Sequence, residues 1–165
     1  MKFLRLTAGL LLGATVIAAG CSKQAPVSTA AAKPPHHEHK PPHHGTPVVL
    51  GDEVYHVELV LDAATGKLQA YVFDGELENF IRSSVPSIEI DAVVNGQPES
   101  LVLSAVANPA TGETIGDTSL FEGQADWLKT AKEFDATLKT ITIRGTTFAD
   151  VKFNFPKGND NDAGK

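Results

Sequence analysis

One cysteine, one methionine and one tryptophan in 165 residues each close off a line of explanation. A lone cysteine, Cys21, forms no internal disulfide, so stability has to come from an ordinary hydrophobic core. Methionine is confined to position 1, and without thioether or further thiol groups soft Cu(I) lacks its preferred ligands. Positive charge is in deficit too: Lys and Arg total 14 against 20 Asp and Glu, a formal net charge of −6, which argues against nucleic acid as a partner. No apolar run reaches the about 20 residues a helix needs to cross a bilayer. Motifs of catalysis are missing as well. His56 is the sole histidine outside one stretch, and no Gly-x-Ser-x-Gly elbow accompanies it. Gly112 to Gly116 has no Lys to hold a phosphate, and the run Asp160 to Gly164 has no closing Glu for a calcium loop. The chain reads as a protein that is not an enzyme.

What is present begins near the N-terminus. Lys2 and Arg5 precede an apolar run from Leu6 to Ile17, and Ile17-Ala18-Ala19-Gly20-Cys21-Ser22 ends it with small residues. These are the charged, apolar and cleavage regions of an export signal. The stretch resembles the lipobox of bacterial lipoproteins, with Ala18 where that family usually carries Leu. The resemblance implies a signal peptide over 1–20, cleavage before Cys21, diacylglycerol on its sulfur and an acyl chain such as palmitate on the new amine. It implies attachment to the membrane of the cell envelope. Ser22 in place of Asp after the cysteine implies the outer membrane, facing the periplasm. Lys2 and Arg5 leave with the signal, and the mature chain is more acidic by those two charges.

Residues 21–46 are rich in Ala, Pro, Ser, Lys and His, with no apolar side chain larger than Val27. Such a segment cannot bury a core, and it is expected to be a disordered tether. In polyproline form its 25 residues from Ser22 to Thr46 reach roughly 80 Å. Within it, Lys33-Pro34-Pro35-His36-His37 recurs as Lys40-Pro41-Pro42-His43-His44, with Glu38 and His39 between. Five of the six histidines thus fall within nine residues. Neutral imidazole is the commonest ligand of Zn(II), Cu(II) and Ni(II), so His36, His37, His39, His43 and His44 are candidate metal ligands. Paired prolines keep the two His pairs about 22 Å apart when extended, so binding is expected to be loose and exchangeable, a buffer rather than a structural site. The other reading is a solubilising spacer on a structural or protein-interaction lipoprotein.

Beyond Thr46 the apolar residues recur with period two, the pattern of half-buried strands. Val54 to Asp62 sets Tyr55, Val57, Leu59 and Leu61 on the inner face and Val54, His56, Glu58 and Val60 on the outer. That alternation predicts a partly exposed His56 beside Glu58, a half-site that the nearby tether histidines could complete. Lys67 to Asp74 is expected to return as a hairpin. Ile88, Ile90, Ala92 and Val94 then alternate inward before Asn95-Gly96, the sequence of a two-residue type I′ turn, and Leu101, Leu103 and Ala105 follow. After a loop from Asn108 to Asp117 comes a short apolar stretch, Ser119 to Glu122. Leu128, Ala131 and Phe134 offer a thin helical stripe over Ala125 to Phe134, with Trp127 as a lid on the core. Leu138 to Arg144 and Thr147 to Phe155 end the domain. These strands predict an all-β fold over 47–156, an antiparallel β-sandwich of immunoglobulin-like general shape with at most one short helix. Residues 157–165 are expected to be a disordered tail.

The stretch His44-Gly45-Thr46-Pro47-Val48-Val49-Leu50-Gly51-Asp52, continuing to Tyr55-His56-Val57-Glu58, resembles small bacterial lipoproteins in which a His-rich leader precedes a β-domain. It is loosely similar to the His-rich leaders of heavy-metal efflux adaptor proteins. The chain lacks the long helical hairpin and lipoyl-like halves of an adaptor. The resemblance therefore implies an accessory role in envelope metal handling, with a divalent metal ion and envelope or efflux proteins as partners.

Overall fold

The computed structural model describes residues 40–160; the lipobox with Cys21, the histidines His36, His37 and His39, and residues 161–165 lie outside the described residues. Eight strands follow one another: β1 (Thr46–Leu50), β2 (Tyr55–Asp62), β3 (Lys67–Asp74), β4 (Ser87–Val94), β5 (Gln97–Ala105), β6 (Leu120–Gln124), β7 (Phe134–Ile143) and β8 (Thr146–Phe155). All pairings are antiparallel, in the order β1-β2-β3-β6-β5-β4-β7-β8. The expected antiparallel all-β fold with at most one short helix is what forms. The described strands belong to one nearly closed sheet. Among the described residues, no helix is long and apolar enough to cross a membrane.

Alternation sets which side chains meet in the middle. Val48 and Leu50 of β1, Val57 and Leu59 of β2, Leu68, Ala70 and Val72 of β3, and the inward residues of β4 and β5 form one core cluster with Phe121, Ile141, Ile143 and Phe153. The β4–β5 hairpin turns at Asn95 and Gly96, both at positive φ (51° and 78°), as a type I′ turn requires. The thin helical stripe gives only a single 3-10 turn, Asp126–Lys129. Leu128 is driven fully into the core, and Trp127 lies partly buried, edge-on to Phe134 at 5.3 Å. Phe134 does not continue the turn. It begins β7 and stacks on Phe155 at 5.0 Å, a contact that a longer helix would forfeit.

Closing the sheet leaves a gap between β1 and β8, and the chain after β8 fills it. The side-chain amide of Asn159 accepts from the Val49 N–H (2.7 Å) and donates to the Val49 carbonyl (3.1 Å), standing in for a neighbouring strand. The Thr46 hydroxyl donates to the Pro156 carbonyl. Gly158, at φ +80°, lies where a Cβ would fall on the Pro47 carbonyl oxygen. The expectation of a frayed tail is therefore corrected for its described part, 157–160. Backbone groups of an edge strand need partners, and Asn159 supplies them for β1.

Candidate functional site

The outer face of β2 and β3 is not a plain solvated surface. Antiparallel register sets Glu58 opposite Tyr71 and His56 opposite Phe73, so these four side chains share one patch. Two further segments cover it. From one side, the chain leaving Asp74 turns back through Leu77, which is 3% exposed, and seats Phe80 on Phe73 with ring centroids 4.6 Å apart. Asp74 shapes that turn by accepting from the amides of Glu78 (3.0 Å) and Asn79 (3.2 Å) and from the Asn79 side chain (2.7 Å). Burial alone would raise the Asp74 pKa, but those hydrogen bonds together outweigh it and hold the carboxyl below its ordinary value.

From the other side comes the end of the histidine-rich tract. The His44 amide donates to the Pro41 carbonyl (3.0 Å), and His44 adopts φ +58°, so the chain after Pro42 folds back on itself. That fold-back lays the His43 ring flat on Tyr71, with centroids 4.0 Å apart and planes 14° from parallel. Beneath it, Glu58 is fully buried. Its Oε1 accepts from the backbone amides of His43 and Gly45, both at 2.8 Å, and its Oε2 lies 2.7 Å from His43 Nδ1. A carboxylate can only accept, so this arrangement places the proton on Nδ1 and leaves the lone pair of the neutral ring on Nε2. Burial, and then the charges of Glu122 and Glu58, raise the Tyr71 pKa, so the phenol under the imidazole stays neutral.

Gly45 decides which half of the repeat docks. A Cβ at this position would meet the Leu59 carbonyl oxygen at 2.5 Å and Glu58 Cγ at 2.9 Å, too close for any side chain. His43-His44 is followed by this glycine, whereas His36-His37 is followed by Glu38. Only the second repeat can give its amides to Glu58 in this way.

Two expectations are corrected here. His56 is 2% exposed rather than partly exposed, because the Asp74–Phe80 turn and the docked leader cover the face that simple alternation assigns to solvent. Its Nδ1 lies 3.3 Å from the Asp74 carbonyl oxygen. The tether, expected to run unstructured to residue 46, is docked on β2 from His43 onward, and Thr46 already belongs to β1. Among the described residues no group of three or more His, Cys, Asp and Glu side chains is arranged to hold a metal ion. His43 and His44 are neighbours on the surface, His56 is buried under it, and the ligand set that would join them is not assembled. Sequence reasoning treated Glu58 as a half-site beside His56 and missed its role as an anchor for the leader. The available signal was Gly45 directly after the second His pair.

Other parts of the surface offer less. The groove of about 950 Å³ on β5-β4-β7-β8 is lined by Asp91, Glu99, Asp135 and Lys152 around apolar Val93 and Pro98, without histidine. In the 108–119 loop, Glu113 accepts from the hydroxyls of Thr111 and Ser119 and from the Ser119 amide, so a carboxylate occupies what would be the heart of a phosphate loop. Comparison with family models, with curated proteins and with solved structures gives no match.

Proposed function

We propose that this is a lipid-anchored, non-enzymatic protein of the cell envelope, held through Cys21, whose histidine-rich tract loosely binds divalent Zn(II), Cu(II) or Ni(II). The observation that carries the metal reading is the seating of His43 on the domain, with its Nδ1 engaged and its Nε2 left as the ligand atom. Metal-bound histidines characteristically give their other ring N–H to a carboxylate, and Glu58 occupies that position for His43. The remaining imidazoles of the tract supply further ligands at high local concentration.

Titration calorimetry on the full-length chain in detergent tests this. Each of the three ions is expected to bind on the order of 10 µM, and replacing His36, His37, His39, His43 and His44 with Ala is expected to abolish the heat. No binding by the parent chain for any ion overturns the metal reading. The anchor has its own test. Cys21→Ser should accumulate unprocessed precursor without lipid label, and normal processing with membrane retention would contradict it.

A second reading, a protein-interaction lipoprotein whose histidines are only a spacer, is favoured by Phe80, which is 54% exposed yet stacked on Phe73. An aromatic held rigid at the surface is a common interface anchor. In-cell crosslinking from position 80 that captures one envelope protein, together with silent metal titrations, would support it over the first.

A further inference from the structure

Among the described residues, Val54, Phe80 and Ile115 are large hydrophobic side chains more than half exposed, and all three belong to loops at one end of the sheet. Strand pairing puts them there. The antiparallel ladders β1–β2, β2–β3, β3–β6 and β5–β6 bring the turn 51–54, the segment 75–86 and the loop 106–119 to the same end. Direct contacts then latch these loops to one another. A Cβ on Gly75 would fall on the Glu53 carbonyl oxygen, so the first two meet backbone to backbone. Arg82 donates to Asp117 (2.8 Å) and to the Thr111 carbonyl (2.6 Å), and Ser83 bridges to Thr118, which ties the third loop to the second.

Charge at this end is strongly of one sign. Residues 51–54 and 75–80 carry Asp52, Glu53, Glu76 and Glu78 and have no Lys, Arg or His. Arg82 is matched to Asp117, which leaves Arg144 of the β7–β8 turn as the other cation of these loops. The groove on β5-β4-β7-β8 differs, although Val93 is exposed there as well. Its charges are mixed, with Lys139 between Asp91 and Asp150 and with Lys152 in the groove wall.

We propose that the loop end is an interaction surface for a basic segment of another polypeptide, one carrying both Lys or Arg and apolar side chains. Its cations meet the carboxylates of the first two loops, and its apolar groups pack on Phe80 and Val54. The inference does not need the metal reading; it rests on the protein-interaction reading, in which Phe80 is an interface anchor. Apolar patches rimmed by polar groups mark such surfaces, and loops on a rigid scaffold commonly carry them. Phe80 is backed by Phe73 at 4.6 Å, so little side-chain freedom is lost when a partner covers it. Its ring face also attracts ammonium and guanidinium groups. Exposed charge pairs add little affinity singly, but loops of one sign steer an oppositely charged partner and repel an acidic one, and salt weakens both effects.

The probe is the peptide acetyl-Lys-Phe-Lys-Leu-Lys-amide, with its counterpart carrying Glu for Lys, titrated into the full-length chain in neutral detergent and followed by amide NMR. The Lys peptide is expected to shift the amides of 51–54 and 75–80, less so at high salt, and the Glu peptide to leave them in place. Affinity should fall about fivefold in Glu76→Gln with Glu78→Gln and about tenfold in Phe80→Ser. Asp91→Asn with Asp135→Asn, a change of equal charge in the groove, should stay within about twofold of the parent. All of these side chains are exposed, and if a variant nevertheless fails to fold, the contrast of the two peptides on the parent decides alone. Equal responses to the two peptides, or parent-like affinity in the Glu76 and Glu78 double variant, overturn the basic partner. Capture of one envelope protein by crosslinking from position 80 would then leave the interaction reading standing, whereas no capture and no peptide response overturn both.

Discussion

Glu58→Ala is expected to destabilise the domain by about 3 kcal/mol and to release residues 40–45 from β2. The substitution removes the common acceptor of three N–H donors from a position with no exposure. Hydrogen bonds to a charged group contribute about 1.5–3 kcal/mol each, but the three do not sum. The His43 side chain keeps 34% of its exposure in the docked state, so its N–H groups regain water easily once the leader lifts. The Gly45 amide loses the Glu58 oxygen to which it donates at 2.8 Å, and Gly45 is only partly exposed. Urea unfolding measures the loss, and amide hydrogen exchange locates it. Exchange at His43 and Gly45 should accelerate to the rate of an open chain while the β4–β5 hairpin stays protected. Unchanged protection at Gly45 would mean that Glu58 does not hold the leader.

Phe121→Ala should cost more, about 3–5 kcal/mol and toward the upper end of that range. Phe121 has no exposure and sits on the five-residue β6, the strand that joins the two halves of the sheet. Its direct neighbours across the sheet are Ala70 on β3 and Ala105 on β5. Two alanines cannot reach into the space that the ring vacates. The β5–β6 ladder itself is short, pairing only Ser104 with Glu122 and Ala105 with Phe121, so it cannot offset lost packing with hydrogen bonds. The expected signature is a lower urea midpoint with an unchanged slope, reporting stability rather than altered compactness. A loss below about 1.5 kcal/mol would indicate that the core collapses around β6 more freely than its neighbours suggest.

The parts of this fold legible from sequence are those where one side of a strand is dry and the other wet. β4 is the plainest case, with Ile88, Ile90, Ala92 and Val94 buried and Glu89, Asp91 and Val93 exposed, ending at Asn95-Gly96. β1 escaped notice as a strand because Thr46–Leu50 is short, contains Pro47 and has no polar residue between Val48 and Leu50. Its pairing with β2 makes it a strand, not its own pattern. The helical stripe failed because three apolar residues are too few to outweigh Phe134 stacking on Phe155.

The outer face of β2 was misread for a different reason. Period-two reasoning assumes a single buried face, yet here both sides are covered, one by the core and the other by a small aromatic layer. A clue was available in β3, where Leu68, Ala70 and Val72 face inward while Tyr71 and Phe73 crowd the opposite side. Two apolar faces on one strand are the mark of a sheet packed on both sides. Docking by Glu58 could not be read so directly. It depends on a buried carboxylate meeting amides 13 and 15 residues away along the chain, a pairing that only the closed fold creates.

Nitrogen NMR of the His43 ring in the full-length chain observes the state of this imidazole directly. A proton on Nδ1, a bare Nε2 and a Zn(II)-dependent shift confined to Nε2 are the predicted result. A ring with its proton on Nε2, or a metal shift at Nδ1, would contradict it.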